Sequence, residues 1–197
     1  PLRARYRETP SPLDGLRGAI LSNYNLVGQP RDIIEQALLN EWEVGRTDDD
    51  VARWVDEAAR DVVAFYGQFP LPRALVLVTA AEGHGTFGKT LGNGGGAIVM
   101  NLGSASSRAE LDDDWVMTHE LIHLALPNLP RSQSWLEEGI STYVEPVARA
   151  RRGRISPARV WADFVLGMPQ GQPAAGDRGL DRTPTWGRMY WGGAIFC

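Results

Sequence analysis

His119-Glu120-Leu121-Ile122-His123 decides how the rest of the chain is read. Trp115, Val116, Ile122 and Leu126 give the surrounding segment an apolar stripe, which predicts a core helix. At about 100° per residue, His119 and His123 fall one turn apart on the same face. That spacing lets two imidazoles hold one tetrahedral zinc. Glu120 is rotated to the flank, where its carboxylate can reach a water beside the metal without ligating the metal. His119 and His123 are two of the chain's three histidines, which weighs against a chance pentad of exposed side chains.

A catalytic zinc needs a third protein ligand. Downstream runs Trp135-Leu136-Glu137-Glu138-Gly139-Ile140-Ser141-Thr142-Tyr143-Val144-Glu145. Pro127 and Pro130 end the first helix, and Ser132 or Ser134 can cap a second one reaching about Arg152. An acid in its first turns can face the histidine pair, and Glu137 and Glu138 both qualify by chemistry. They point about 100° apart, so only one can ligate. The run resembles the W-L-x-E-G-x-[AS]-x-Y-x-E signature of gluzincin aminopeptidases, zinc peptidases related in fold to thermolysin. In that signature the acid before Gly is the metal ligand, and the resemblance puts this role on Glu138. Glu137 reads as a first-turn acid favoured by the helix dipole. The loop between His123 and Glu138 is shorter than the family's, which alters the rim of the pocket rather than the ligand set.

Glu145 lies about two turns past Glu138 on the same face. It matches the last Glu of the signature and can accept the ring N–H of a ligating histidine; alternatively it pairs with Arg149 at i+4. Tyr190-Trp191-Gly192-Gly193-Ala194 resembles the Y-x-x-G-A run opening a late helix of the same peptidases. There the tyrosine hydroxyl steadies the oxyanion, so the resemblance implies that role for Tyr190.

The length suits one sizeable core, and with 43% hydrophobic and 22% charged residues disorder is not expected. Net charge is −4, and the cluster Arg149, Arg151, Arg152 and Arg154 reads as a helix C-terminus rather than a nucleic-acid site. A single cysteine excludes an intramolecular disulfide. No apolar run approaches the roughly 18 residues of a transmembrane helix. The chain starts at Pro1 without an initiator Met or signal peptide, and an exported protein whose targeting segment is removed is the expectation.

Along the chain, residues 1–30 read as an irregular leader, and Pro30 opens a helix carrying Ile33, Ile34, Ala37, Leu38 and Trp42. A stronger helix follows Asp48-Asp49-Asp50, with the stripe Val51, Trp54, Val55, Ala58, Val62 and Phe65, and closes at Gly67. Strands are expected over 74–79 and 96–102. Ser107-Arg108-Ala109-Glu110 reads as a capping box leading into the histidine helix. Helices follow over about 134–152, 157–166 and from about 186, with a Gly/Pro-rich loop over 167–185.

Gly83-His84-Gly85-Thr86-Phe87-Gly88-Lys89-Thr90 fits the phosphate-loop pattern G-x-x-x-x-G-K-[ST]. That site needs a helix to start at Lys-Thr, because free N–H groups at its end hold the phosphates. Leu91-Gly92-Asn93-Gly94-Gly95-Gly96 cannot sustain one. The segment is read as a mobile loop between two strands that overhangs the cleft, and His84 as a surface residue.

Strands before the histidine helix and helices after it match the catalytic lobe of thermolysin-like peptidases. The expected class is therefore α+β: one domain over 1–197, with a sheet lobe over 1–105 and a helical zinc-binding lobe over 106–197. The resemblance implies a sheet-edge strand that pairs with substrate backbone. The stretch from Gly95 to Asn101 is assigned to it, with Gly95, Gly96 and Ala97 at its start. The aminopeptidases carry a glutamate in that strand to fix the substrate's free amino terminus, and this stretch has no acid. The implied activity is zinc-dependent hydrolysis of a peptide or protein substrate, with His119, His123 and Glu138 as ligands, Glu120 as base and Tyr190 as donor. No nucleic-acid partner is expected. The alternatives are a catalytically silent zinc-binding interaction domain and, remotely, a phosphate-loop nucleotide binder.

Overall fold

Trp54, Ala58 and Val62 recur at four-residue spacing, and in a computed structural model, which describes residues 48–91 and 96–197, they form the buried face of helix α1 (Asp48–Tyr66). Each large side chain of that face contributes roughly 1.5–3 kcal/mol by leaving water. The helix stops at Gly67, whose φ of +83° a residue with a side chain rarely adopts, and whose N–H returns to Val63 O at 2.8 Å. The leader and the helix expected from Pro30 lie outside the described residues.

Among the described residues the architecture is α+β: six α-helices and a three-stranded sheet. Strand β1 (Leu75–Ala81) pairs parallel with β3 (Ala97–Gly103), from Leu75 opposite Ala97 to Ala81 opposite Gly103. Strand β2 (Thr86–Leu91) pairs antiparallel with β3, from Thr86 opposite Leu102 to Leu91 opposite Ala97. The sheet order β1-β3-β2 makes β3 central. Its side chains Ile98, Met100 and Leu102 are fully buried and join the α1 face, Leu111, Met117, Leu121 and Ile122 in one core.

Two expectations are corrected here. The stretch containing Gly96 and Ala97 is not a sheet edge, because β3 is hydrogen-bonded on both sides; Gly95 lies outside the described residues. The edges among the described residues are β1 and β2, and β2 lies within the segment expected to be a loop. Its signal was the alternation of Thr86, Gly88 and Thr90 with Phe87, Lys89 and Leu91, which the glycine pattern obscured. Lys89 and Thr90 thus lie in a strand, where a phosphate loop needs the start of a helix.

The capping box forms: Glu110 N–H reaches Ser107 Oγ at 3.3 Å, and Ser107 N–H reaches Glu110 Oε2 at 2.7 Å. It opens the short helix α2 (Arg108–Asp113) rather than the histidine helix. Helix α3 (Val116–His123) starts separately, with Asp114 Oδ2 accepting from Met117 N–H at 3.0 Å. Then come α4 (Ser134–Arg151), α5 (Pro157–Gly167) and α6 (Trp186–Phe196). Neither Ser132 nor Ser134 caps α4; a 3₁₀ turn over Arg131–Gln133 leads into it instead, and Ser134 Oγ donates to Arg131 O. Two more such turns, Met168–Gly171 and Leu180–Arg182, lie in the stretch expected as loop.

Within the arginine cluster, Arg149, Arg152 and Arg154 make ion pairs, while Arg151 lies over the Phe65 ring and donates to Phe65 O. Arg154 reaches the fully buried Asp61 at 2.6 Å, and Arg152 reaches Glu57 at 2.7 Å, which ties the end of α4 to α1. Asp61 also accepts from Thr118 of α3 at 3.2 Å, so α1, α3 and the end of α4 share one buried carboxylate. No helix among the described residues is long and apolar enough to cross a membrane.

Candidate metal centre

Helix α3 offers His119 and His123 from one face, and α4 meets them with an acid from its first turns. Glu138 Oε2 lies 3.1 Å from His119 Nε2 and 3.5 Å from His123 Nε2. Metal-to-ligand distances near 2.0–2.1 Å place tetrahedral donors about 3.3 Å apart, so both separations from Glu138 match edges that such an ion requires. The nitrogen and carboxylate donors suit zinc or another borderline divalent ion. His119, Glu120 and His123 also bring donor atoms within 4.8 Å of one another. Glu138 and Glu120 are thus the two acids that could join the imidazoles around a metal ion.

Electrostatics follow from this crowding. Burial disfavours charge on Glu138, but hydrogen bonds from His119 and His123 outweigh it and hold the carboxyl at about 2. Burial likewise opposes charge on His123, while Glu138, Glu120 and Glu137 together raise its pKa.

An aromatic column carries the histidine. Trp186 stacks on Tyr190 with centroids 5.5 Å apart, and Tyr190 stacks on His119 at 5.7 Å with planes 15° apart. Trp115 meets the His119 ring edge-on at 5.5 Å. Burial first, then the Glu138 and Glu120 charges, push the Tyr190 pKa well above the usual phenol value, so its hydroxyl keeps its proton. Arg188, one turn before Gly192, fastens this end of α6 by pairing with Asp177 at 2.6 Å and donating to Gly171 O.

A cleft of about 490 Å³ opens over these groups, and Glu120, His123, Glu138 and Tyr190 all line it. Strand β2 forms one wall through Phe87, Gly88, Lys89 and Thr90; Gly96 lines it too, but Ala97 does not. Glu137 is also in the wall, with Oε1 accepting from Leu129 N–H at 2.7 Å, a contact made by the short interhelical loop. Glu145 does not reach the histidines: it takes a hydrogen bond from Arg149 at 2.9 Å, and His119 Nδ1 is buried without a protein partner. The i,i+4 pairing was one of the two readings of Glu145, and it is the one formed. His84 stands away from the cleft, exposed and 3.1 Å from Glu110.

Two residues the sequence reading passed over matter here. Asp114 gathers Trp54 Nε1 at 2.9 Å, the Thr86 hydroxyl and Met117 N–H, and so fixes the start of α3. Thr90 places its hydroxyl 2.7 Å from Glu120 Oε2. Asp114 was legible as an acid ahead of an apolar helix; Thr90 was hidden inside the phosphate-loop pattern. Comparison with protein-family models, with curated proteins and with solved structures finds no match for this chain.

Proposed function

We propose that the chain is a zinc metallopeptidase of gluzincin type, with a thermolysin-like arrangement of sheet, histidine helix and acid-bearing helix. One observation carries the reading: a Glu138 carboxylate oxygen lies at tetrahedral-edge distance from the His119 and His123 imidazole nitrogens, beside a cleft lined by His123, Glu138, Glu120 and Tyr190. His119, His123 and Glu138 would hold the metal. A bound zinc supplies Lewis-acid polarisation of a carbonyl and acidifies water at its open position.

The remaining chemistry belongs to the chain. Glu120 takes the proton of the attacking water on Oε1, the oxygen that Thr90 leaves open, and passes it to the departing amine. Tyr190 donates its hydroxyl proton in a hydrogen bond to the oxygen that gains charge in the tetrahedral intermediate. The outer backbone of β2 is the candidate partner for an extended substrate, since it is antiparallel to β3 and borders the cleft.

The deciding experiment is elemental analysis followed by a broad peptide-cleavage screen on wild type and Glu120→Gln. One zinc per chain in both proteins, with cleavage by wild type alone, is expected. Zinc without cleavage in either would favour the silent interaction domain, and a fully active Glu120→Gln protein would remove Glu120 from the mechanism.

A further inference from the structure

Strand β2 turns Thr86, Gly88 and Thr90 inward and leaves Phe87, Lys89 and Leu91 exposed. All three inward positions engage the segment that carries the histidines. Thr86 donates its hydroxyl proton to Asp114 at the start of α3. Gly88 lies flat against Glu120: a Cβ there would stand 2.5 Å from Glu120 Cγ and 2.6 Å from Met100 Sδ. Thr90 Oγ1 lies 2.7 Å from Glu120 Oε2 and 2.8 Å from Glu120 O.

A hydroxyl carries one proton, so Thr90 donates to the carboxylate or to the carbonyl at any moment, and both contacts keep it beside Glu120. Glu120 is only 8% exposed. A carboxylate removed from water needs protein donors both to offset lost hydration and to keep one rotamer. The bare backbone of Gly88 on one side and the Thr90 hydroxyl on the other leave its carboxylate one orientation, along the cleft wall.

We propose that Thr90 is a positioning residue for the base: it aims the Glu120 carboxylate and couples that aim to the strand bordering the substrate cleft. The proposal rests on the peptidase reading. It means that one short strand sets both the register of a bound peptide and the direction of proton removal. A merely structural role, in which Thr90 fastens β2 to α3, makes different predictions.

The test compares Thr90→Val, which keeps shape and loses the hydroxyl, with Thr90→Ser, which keeps the hydroxyl. A hydrogen bond to a charged group implies a fall in kcat on the order of 10–100-fold for Thr90→Val. KM and zinc stoichiometry should stay near wild type, melting temperature should fall only modestly because Glu120 loses one donor, and Thr90→Ser should restore most of kcat. Acetohydroxamic acid titrated calorimetrically into the zinc-loaded protein reads the same contact without turnover, because on binding it gives its proton to the neighbouring base. Thr90→Val should weaken it by about tenfold, as the loss of such a bond predicts. Wild-type kcat and hydroxamate affinity in Thr90→Val would overturn the proposal, as would Thr90→Ser failing as badly, or Thr90→Val losing zinc. If wild type cleaves nothing while Thr90→Val still weakens the hydroxamate, the peptidase reading falls and the positioning role stands. Protein that takes up no zinc overturns both.

Discussion

Gly139 and Gly193 hold α4 and α6 in backbone contact: a Cβ on Gly139 would lie 2.3 Å from the Gly193 carbonyl carbon. A Cβ on Gly193 would in turn lie 2.2 Å from Trp135 O. Gly139 follows Glu138 directly, and Gly193 lies one turn past Tyr190. This close crossing is what brings the phenol beside the Glu138 carboxylate and over His119. The glycines of the two runs that resembled the gluzincin signatures therefore serve a single contact.

That contact leaves no room for a methyl group. Gly139→Ala should lower unfolding free energy by roughly 1–3 kcal/mol, the usual cost of overpacking. It should also weaken the metal site, because Glu138 and Tyr190 move apart from α3. Urea denaturation of wild type and variant measures the first effect. An unchanged midpoint would mean that α4 and α6 do not pack as described.

The metal site makes a sharper claim about two adjacent acids. Glu138→Ala should lose most of its zinc, since it removes one of the three proposed ligands. Glu137→Ala should keep one zinc per chain, since its carboxylate is engaged by Leu129 N–H and does not join the imidazoles. Zinc content after dialysis decides it. Retention by the first variant with loss by the second would exchange their roles.

The helices around the site were legible because their signals are local. Apolar spacing placed α1 and α3, and the motif spacing placed His119 against His123 and the acid run after them. The sheet was harder to read. Whether a strand is central or an edge depends on partners remote in sequence, so nothing local to Gly96 and Ala97 announced that β3 is paired on both sides. Thr90 was missed for the same reason: its partner Glu120 lies 30 residues away. The Glu145 pairing turned on geometry between α3 and α4 that helical periodicity alone does not set.

Tyr190 should matter less than Glu120 to the rate. Tyr190→Phe keeps the ring that stacks on His119 and removes the donor. The loss in kcat should be on the order of 10²–10³, as for one oxyanion donor, with zinc content intact. Steady-state kinetics on any cleaved peptide tests this, and an unimpaired variant would exclude Tyr190 as the donor.

Glu145 gives the fold a pH dependence of its own. Burial, opposed by Arg149 and reinforced by Asp114 and Asp61, raises its pKa from the ordinary 4.5 to about 7. The folded state thus binds more protons than the unfolded state between those values, so stability falls as pH rises through that window. Glu138, held at about 2, contributes below 4.5 and does not overlap. At about 1.4 kcal/mol per pKa unit, the loss is roughly 3 kcal/mol. Glu145→Gln should be less sensitive over the same range. Denaturation midpoints at pH 4.5, 6 and 8 check this; identical slopes for the two proteins would refute it.

Under the proposed peptidase reading, substrate choice should follow from the charges along the cleft wall. Phe87, Gly88, Lys89 and Thr90 of β2 offer no carboxylate, and Glu82 is not among the residues lining the cleft. A substrate ammonium taken out of water without a carboxylate partner costs several kcal/mol, so β2 gives no reason to select a free amino terminus. The chain should therefore cut N-terminally acetylated peptides about as readily as their free counterparts. Glu137 is the acid placed to change that outcome, since it lies in the same wall with one oxygen held by Leu129. Matched free and acetylated peptides, assayed with wild type and Glu137→Gln, separate the cases. Cleavage of the free form alone, with the preference abolished in Glu137→Gln, would make Glu137 the amine anchor and the protein an aminopeptidase.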